Sequence, residues 1–352
     1  MFKIFKEKKL KKELESIDFN KDFDQEQSEN YQLDPKETNI FKTNTYVFSA
    51  HSFEKRQTIY MQLSINPVQT EAIVYYIEGF NKYVLEQHIY TTTCPLKIFK
   101  EDNLWNVNFS GYLKKNNKDN AKLTFQAKFE SDNKCIHTNL NYNQNNIFEC
   151  FKNEKNYKQK IQELQNDTNV YYNQLGTIKG RMILEGQNST FNLPCVKEHY
   201  YGLFDYSKRN NHFNLIIPNN TTLVNFRQLS EPDMTYIELG NYYKNNDEIK
   251  YVNNAVYERQ ILTKGTPPTY LNILLKLDNN EEVGLHIKKV DEIYYDIQEQ
   301  YDIYIAVVEV LMEGKKYRGI MECGYNKNKA LWFNGVDISK WYEWNSKLIL
   351  NQ

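Results

Sequence analysis

The chain has 352 residues, 40% of them apolar and 14% aromatic, which excludes a disordered chain and suffices for the cores of two ordinary domains. With 44 Lys and Arg against 45 Asp and Glu the net charge is −1, so no broad positive field draws in nucleic acid, and that partner is excluded. Residues 1–18, MFKIFKEKKLKKELESID, lack the apolar run of a signal peptide, so the protein is expected not to be secreted. Being Lys-rich and acidic at Glu7 and Glu13, the segment also fits a mitochondrial presequence poorly. It reads as a basic N-terminal helix whose Phe2 and Phe5 are candidate contacts for a partner or an anionic membrane surface. Nowhere does an apolar run reach the ~20 residues of a spanning helix.

Residues 19–40 are polar, acidic and interrupted by Pro35, the composition of a linker or wrapped arm. From 41 to 148 apolar and polar residues alternate in short runs such as TYVFSAHSF, QTIYMQLSI and AKLTFQAKFE, separated by turns such as KKNNKDN. This predicts a first antiparallel β unit. At 149–168 the period becomes helical, with Phe151, Tyr157, Ile161 and Leu164 near one face, and one connecting helix is expected. The strand pattern resumes over 169–328 as a second β unit, ending in a hairpin that turns at Glu313-Gly314. Residues 329–352 hold Trp332, Trp341 and Trp344, and Trp341, Trp344 and Leu348 recur at helical spacing, so a C-terminal helix is expected with its apolar stripe covered. The fold class is mostly β, and strand and helix do not alternate as a parallel α/β sheet requires.

Chemistry-bearing motifs are few. The sequence has no G-x-G-x-x-G, Walker loop, H-E-x-x-H or G-x-S-x-G, so nucleotide and serine-hydrolase chemistry are not expected, and no cofactor or metal is assigned. Cysteines 94, 135, 150, 195 and 323 are scattered without a C-x-x-C pair, as in reduced cytoplasmic thiols. Cys135-x-His137 has no second pair at matching spacing, and His51, His88, His212 and His286 stand alone in strand-like runs. The stretch PCVKEHYYGLFDY is different: His199 adjoins Glu198, and Asp205 follows six positions later. In a strand, side chains alternate, so Glu198 and His199 point to opposite sides while Lys197, His199 and Tyr201 share one. Gly202 can turn the chain and bring Asp205 back towards His199, as an acid and base pair or as a structural clasp at one end of the second β unit. His199, Asp205 and Glu198 are the catalytic candidates, and the clasp is the preferred reading.

LPCVKEHYYGLFDY resembles the V-R-D-H-S-F-G-x-R-D-W signature of the carotenoid hydratase, AttH and fungal survival-factor superfamily, including its eukaryotic phosphoenolpyruvate-synthase-like members. Val196, His199, Gly202 and Asp205 match, and Lys197, Glu198, Tyr201 and Tyr206 are similar in kind. TYIELGNYY, GTPPTYLNI and YRGIMECGYN, the last through Gly319, Glu322 and Tyr325, resemble later segments in the same order. CPLKI with LWNVNFSGYL is similar to the first-half pattern, so the resemblance spans about residues 45–328. It implies two consecutive lipocalin-like antiparallel β-barrels, which together with the elements read above are joined by one helix and carry helical extensions at both ends. It also implies either apolar-substrate hydration or lipid carriage. Phe204 and Tyr200 stand where the signature has Arg and Ser, removing a cation and a hydroxyl from the place where catalysis would need them.

Three functions follow in order of preference. The first is a non-catalytic scaffold or structural subunit of a larger protein assembly, attached through the N-terminal helix and the Trp-rich tail. The second is a carrier of an apolar lipid-like ligand, and the third a degenerate hydratase or isomerase. The expected location is cytoplasmic, free or on an assembly of cytoskeletal or ciliary kind.

Overall fold

The computed structural model describes residues 2–17, 24–102, 104–137, 144–152, 155–166, 168–204, 211–230, 237–244, 249–258, 266–297 and 301–327. In chain order these give α1 (Phe2–Glu15), α2 (Gln25–Glu29), β1 (Lys42–Ser52), β2 (Gln57–Ile65), β3 (Thr70–Glu78), β4 (Asn81–Val84), β5 (Ile89–Tyr90), β6 (Leu96–Glu101), β7 (Leu104–Lys115), β8 (Asp119–Glu130) and β9 (Ile136–His137). Two helices follow, α3 (Gln144–Phe151) and α4 (Tyr157–Asn166), then the long hairpin of β10 (Val170–Leu184) and β11 (Gln187–Leu203). The remainder is β12 (Asn211–Pro218), β13 (Thr222–Ser230), β14 (Ile237–Lys244), β15 (Lys250–Tyr257), β16 (Tyr270–Leu277), β17 (Glu282–Ile297), β18 (Tyr301–Met312) and β19 (Lys315–Asn326).

Two closed antiparallel barrels result. The second is an up-and-down barrel in which each of β12 to β19 pairs with its successor and β19 returns to β12. The first closes in the order β1-β2-β3-β4-β7-β8-β10-β11, and β11 pairs with both β10 and β1. Closure removes exposed strand edges. Alternation explains the filling: on β8, Ala121, Leu123, Phe125, Ala127 and Phe129 all face the first core. β1 is buried along most of its length because one face lines this core and the other meets the second barrel.

Two sequence expectations need correction. The helical stretch is two helices, α3 and α4, and these lie within the first barrel's chain path. The boundary between barrels therefore falls after β11, not near residue 168, and β10 with β11 complete the first barrel instead of opening the second. Both turns of the type expected at Glu313-Gly314 have the positive φ that tight hairpins demand, 49° and 72° there and 51° and 83° at Glu185-Gly186.

The helices pack together. Leu10 and Leu14 of α1 are buried against Ile147, Phe151, Tyr157, Ile161 and Leu164, with Leu239 of the second barrel beneath them. Phe5 points away and is 67% exposed. Two apolar seams join the barrels, one centred on Val47, Tyr75 and Ile305, the other on Leu175, Val196, Ile216 and Leu223.

Candidate functional site

The candidate residues lie on β11, whose two faces are chemically distinct. Cys195 belongs to the first barrel's core, whereas Val196 belongs to the seam with the second barrel. Continuing the alternation, Lys197, His199 and Tyr201 look into the first barrel and Glu198 and Tyr200 look towards the second, as the strand period requires. His199 and Glu198 are therefore not brought together. Asp205, which the clasp needs, lies outside the described residues, as do Trp332, Trp341 and Trp344. His199 sits on the first barrel, so the expectation of a clasp at the end of the second is corrected on that point. Gly202 remains inside β11, opposite Thr43, with φ of 135°. A Cβ there would stand 2.1 Å from Asn169 Oδ1, the atom that accepts the Leu203 N–H at 2.6 Å.

On the inward face His199 is fully buried, stacked on Tyr46 at 4.3 Å and 17°. Its Nε2 lies 2.6 Å from Asn44 Oδ1 and its Nδ1 3.0 Å from Tyr172 Oη. Asn44 Nδ2 already donates to the Tyr31 carbonyl and to Tyr46 Oη, so Asn44 Oδ1 is an acceptor. His199 must then carry its proton on Nε2 and accept the Tyr172 hydroxyl at Nδ1. Burial, with Lys197 nearby, lowers its pKa to about 3 and keeps the ring neutral.

Lys197 is 0% exposed. Its Nζ lies 4.9 Å from the Trp105 ring centroid, 5.3 Å from Tyr172 and 5.9 Å from Phe129. Its ion-pair partner comes from far along the chain: Glu29 Oε1 of α2 lies 2.8 Å from Lys197, and Glu29 Oε2 lies 2.6 Å from Lys100 of β6. Burial raises the Glu29 pKa, but Lys197 and Lys100 more than reverse this and hold it below 4.5. Nearby, Ser28 bonds Tyr201 Oη at 3.0 Å and Tyr31 stacks on Tyr201 at 3.9 Å and 9°. The segment read as a linker or arm thus plugs the first barrel.

On the outward face Glu198 accepts a hydrogen bond from Tyr171, whose ring lies 3.9 Å below the Arg227 guanidinium of the second barrel. Burial raises the Glu198 pKa to about 7, and the Glu322 carboxylate adds to the rise. Glu322 accepts from His212 Nε2 at 2.8 Å if that nitrogen carries a proton, and His212 Nδ1 meets Tyr301 Oη at 2.9 Å. Asn173 faces Glu198 across the ladder, and Asn214 lies between Arg227 and Glu322. A carboxylic acid titrating near neutrality beside a phenol is chemically able to relay a proton. Sequence reasoning found Glu198 and, through a motif, Glu322, but not Tyr171, His212 or Arg227. Their signal was the outward parity of β10, β12 and β13, which acquires meaning only once the facing barrel is known.

His137, the second half of Cys135-x-His137, is buried against Tyr172 at 5.6 Å. Burial pushes the Cys135 thiol up to about 12. Among the described residues no cluster of three or more His, Cys, Asp or Glu is placed to hold a metal ion. A groove of about 400 Å³ opens on the flank of the first barrel, bordered by Leu85, Tyr90, Pro95 and Leu113, away from β11.

No family model matches the sequence, and no curated protein matches it. Solved structures do. An AttH-type protein of Nitrosomonas europaea superposes with a TM-score of 0.53 at 10% identity, covering 86% of this chain and 96% of its own. Kievitone hydratase from Nectria haematococca gives 0.50 at 13% identity, over 88% and 97%. The resemblance seen in the β11 signature is therefore matched by the architecture: this chain has the tandem lipocalin-like double-barrel fold of those proteins.

Proposed function

We propose that the protein is a non-catalytic double-barrel module acting as a structural subunit of a larger protein assembly. The observation that carries this reading is the commitment of the signature histidine. Both His199 ring nitrogens are engaged by Asn44 and Tyr172 inside a packed barrel, so neither a lone pair nor a proton is free for a substrate. The exposed Phe5 and the Trp-rich tail are the attachment points this reading assigns. Affinity purification of the full chain from its source cells tests it. Stoichiometric protein partners that persist with His199→Gln support the role, and recovery of the chain alone overturns it.

A second reading is favoured by one feature, the Glu198 and Tyr171 pair with its acid titrating at about 7. It is a reduced hydratase or isomerase whose acid is Glu198. Hydration of an apolar alkene by the wild type and not by Glu198→Gln supports it. Equal background turnover by both removes it.

A further inference from the structure

We propose that the end of the first barrel where β1 starts and β11 finishes is a binding site for a small aromatic carboxylate, occupied here by the chain's own Glu29 and Tyr31. The barrel strands bring two ammonium groups, Lys100 and Lys197, to one carboxylate, and that carboxylate comes from the arm and not from a strand. A fully buried cation needs an anion beside it, and the aromatic walls formed by Trp105, Tyr172 and Phe129 suit a cation whose counter-ion can change. Two residues further on, Tyr31 lies flat on Tyr201 at 3.9 Å. Acid and ring together show the two chemistries this end of the barrel accepts, a carboxylate on paired ammonium groups and a flat aromatic face on Tyr201.

The occupant is built to be displaced. α2 is five residues long, capped by Asp24, and the backbone bonds of this segment run within it, from Ser28 N to Asp24 O, Asn30 N to Glu26 O and Tyr31 N to Ser28 O. Its hold on the barrel is made by side chains and by the Tyr31 carbonyl, which accepts from Asn44. The barrel ladder that carries Lys197 closes through β1 and β10 without the arm. A free ligand competes with a tethered one, so wild-type affinity is reduced by the fraction of time the arm is seated.

The probe is 2-naphthoate, with 2-naphthalenemethanol as the uncharged control, titrated calorimetrically into the full-length chain. The Glu29→Gln/Tyr31→Ala variant is expected to bind naphthoate at least about a hundred-fold more tightly than wild type and to discriminate against the alcohol. Adding Lys197→Met is expected to abolish that discrimination. Binding no tighter than wild type, or equal binding of acid and alcohol, overturns the site. If the double variant does not fold, hydrogen exchange on wild type decides. Faster exchange of the Ser28 to Tyr31 amides in saturating naphthoate, with β11 unchanged, supports the proposal, and unchanged exchange refutes it.

Discussion

The second barrel runs its eight strands in chain order around Phe213, Phe226, Ile273, Leu275, Leu285 and Met321, and its buried acid Glu238 accepts from Tyr257 of the same barrel. In the first, the chain leaves after β9 for two helices and returns to close with β10 and β11. That closing strand brings Lys197 and His199 into the lumen. An apolar lumen is satisfied by its own strands, whereas a buried cation is not. The first barrel therefore borrows Glu29 from outside the sheet. The difference teaches where the first barrel carries its buried lumen cation: on its closing strand β11, with the inward face plugged by the arm and the outward face sealed by the neighbouring barrel.

The largest effect should come from the apolar barrel. Phe226 is fully buried, edge-on to Tyr257 at 5.7 Å. Phe226→Ala is expected to cost up to about 5 kcal/mol. Because no titrating group is removed, the loss should be the same at about pH 5 and 8 by denaturant unfolding. A strong pH dependence would erase the contrast between the barrels.

Glu29→Ala strikes the first barrel and leaves Lys197 buried without its anion, at an expected cost of about 3–4 kcal/mol. Here pH should matter. Burial lowers the Lys197 pKa below 10.5, despite the opposing pull of Glu29, and without Glu29 it falls further. The folded state then releases this proton at a lower pH than the unfolded state, so stability rises with pH and the deficit shrinks as pH climbs towards 10.5. A pH-independent deficit would mean that Glu29 only fills space.

At the boundary between the barrels, Glu198 should act in the opposite sense. Its folded pKa is raised from 4.5 to about 7, so its contribution is present below 4.5 and is lost as pH rises through 7. Glu198→Gln keeps an acceptor for Tyr171 and removes the charge. It should match wild type near pH 4.5 and exceed it by about 3 kcal/mol above pH 7. Equal stability across the range would place Glu198 in contact with solvent.

Most of the fold was legible because a period of two is local information. β8 declares its inward set without help from any other strand, and the Glu313-Gly314 turn declares itself by residue type. Which strands pair is not local. The β10 and β11 hairpin reads the same whether it closes one barrel or opens the next, so the boundary was misplaced by the length of that hairpin. The site divided the same way. Parity separated Glu198 from His199 correctly, but nothing near Lys197 announces an acid 168 positions earlier, and nothing near Glu198 announces Arg227.

The smallest of these effects tests His199 itself. Replacing it with Ala leaves Tyr172 Oη without its acceptor and Asn44 Oδ1 without its donor, at about 1–2 kcal/mol near pH 7.5. The wild-type ring stays neutral, its pKa lowered by burial from 6.5 to about 3, whereas the unfolded ring takes up a proton below 6.5. Its contribution is therefore full above 6.5 and is lost as pH falls towards 3, so the gap between wild type and variant should narrow at acid pH. Melting curves of both proteins at about pH 7.5 and 5 measure this. A gap that widens at low pH would show that the folded ring is charged, which would break the assignment of His199 as a neutral strut and reopen it as a base.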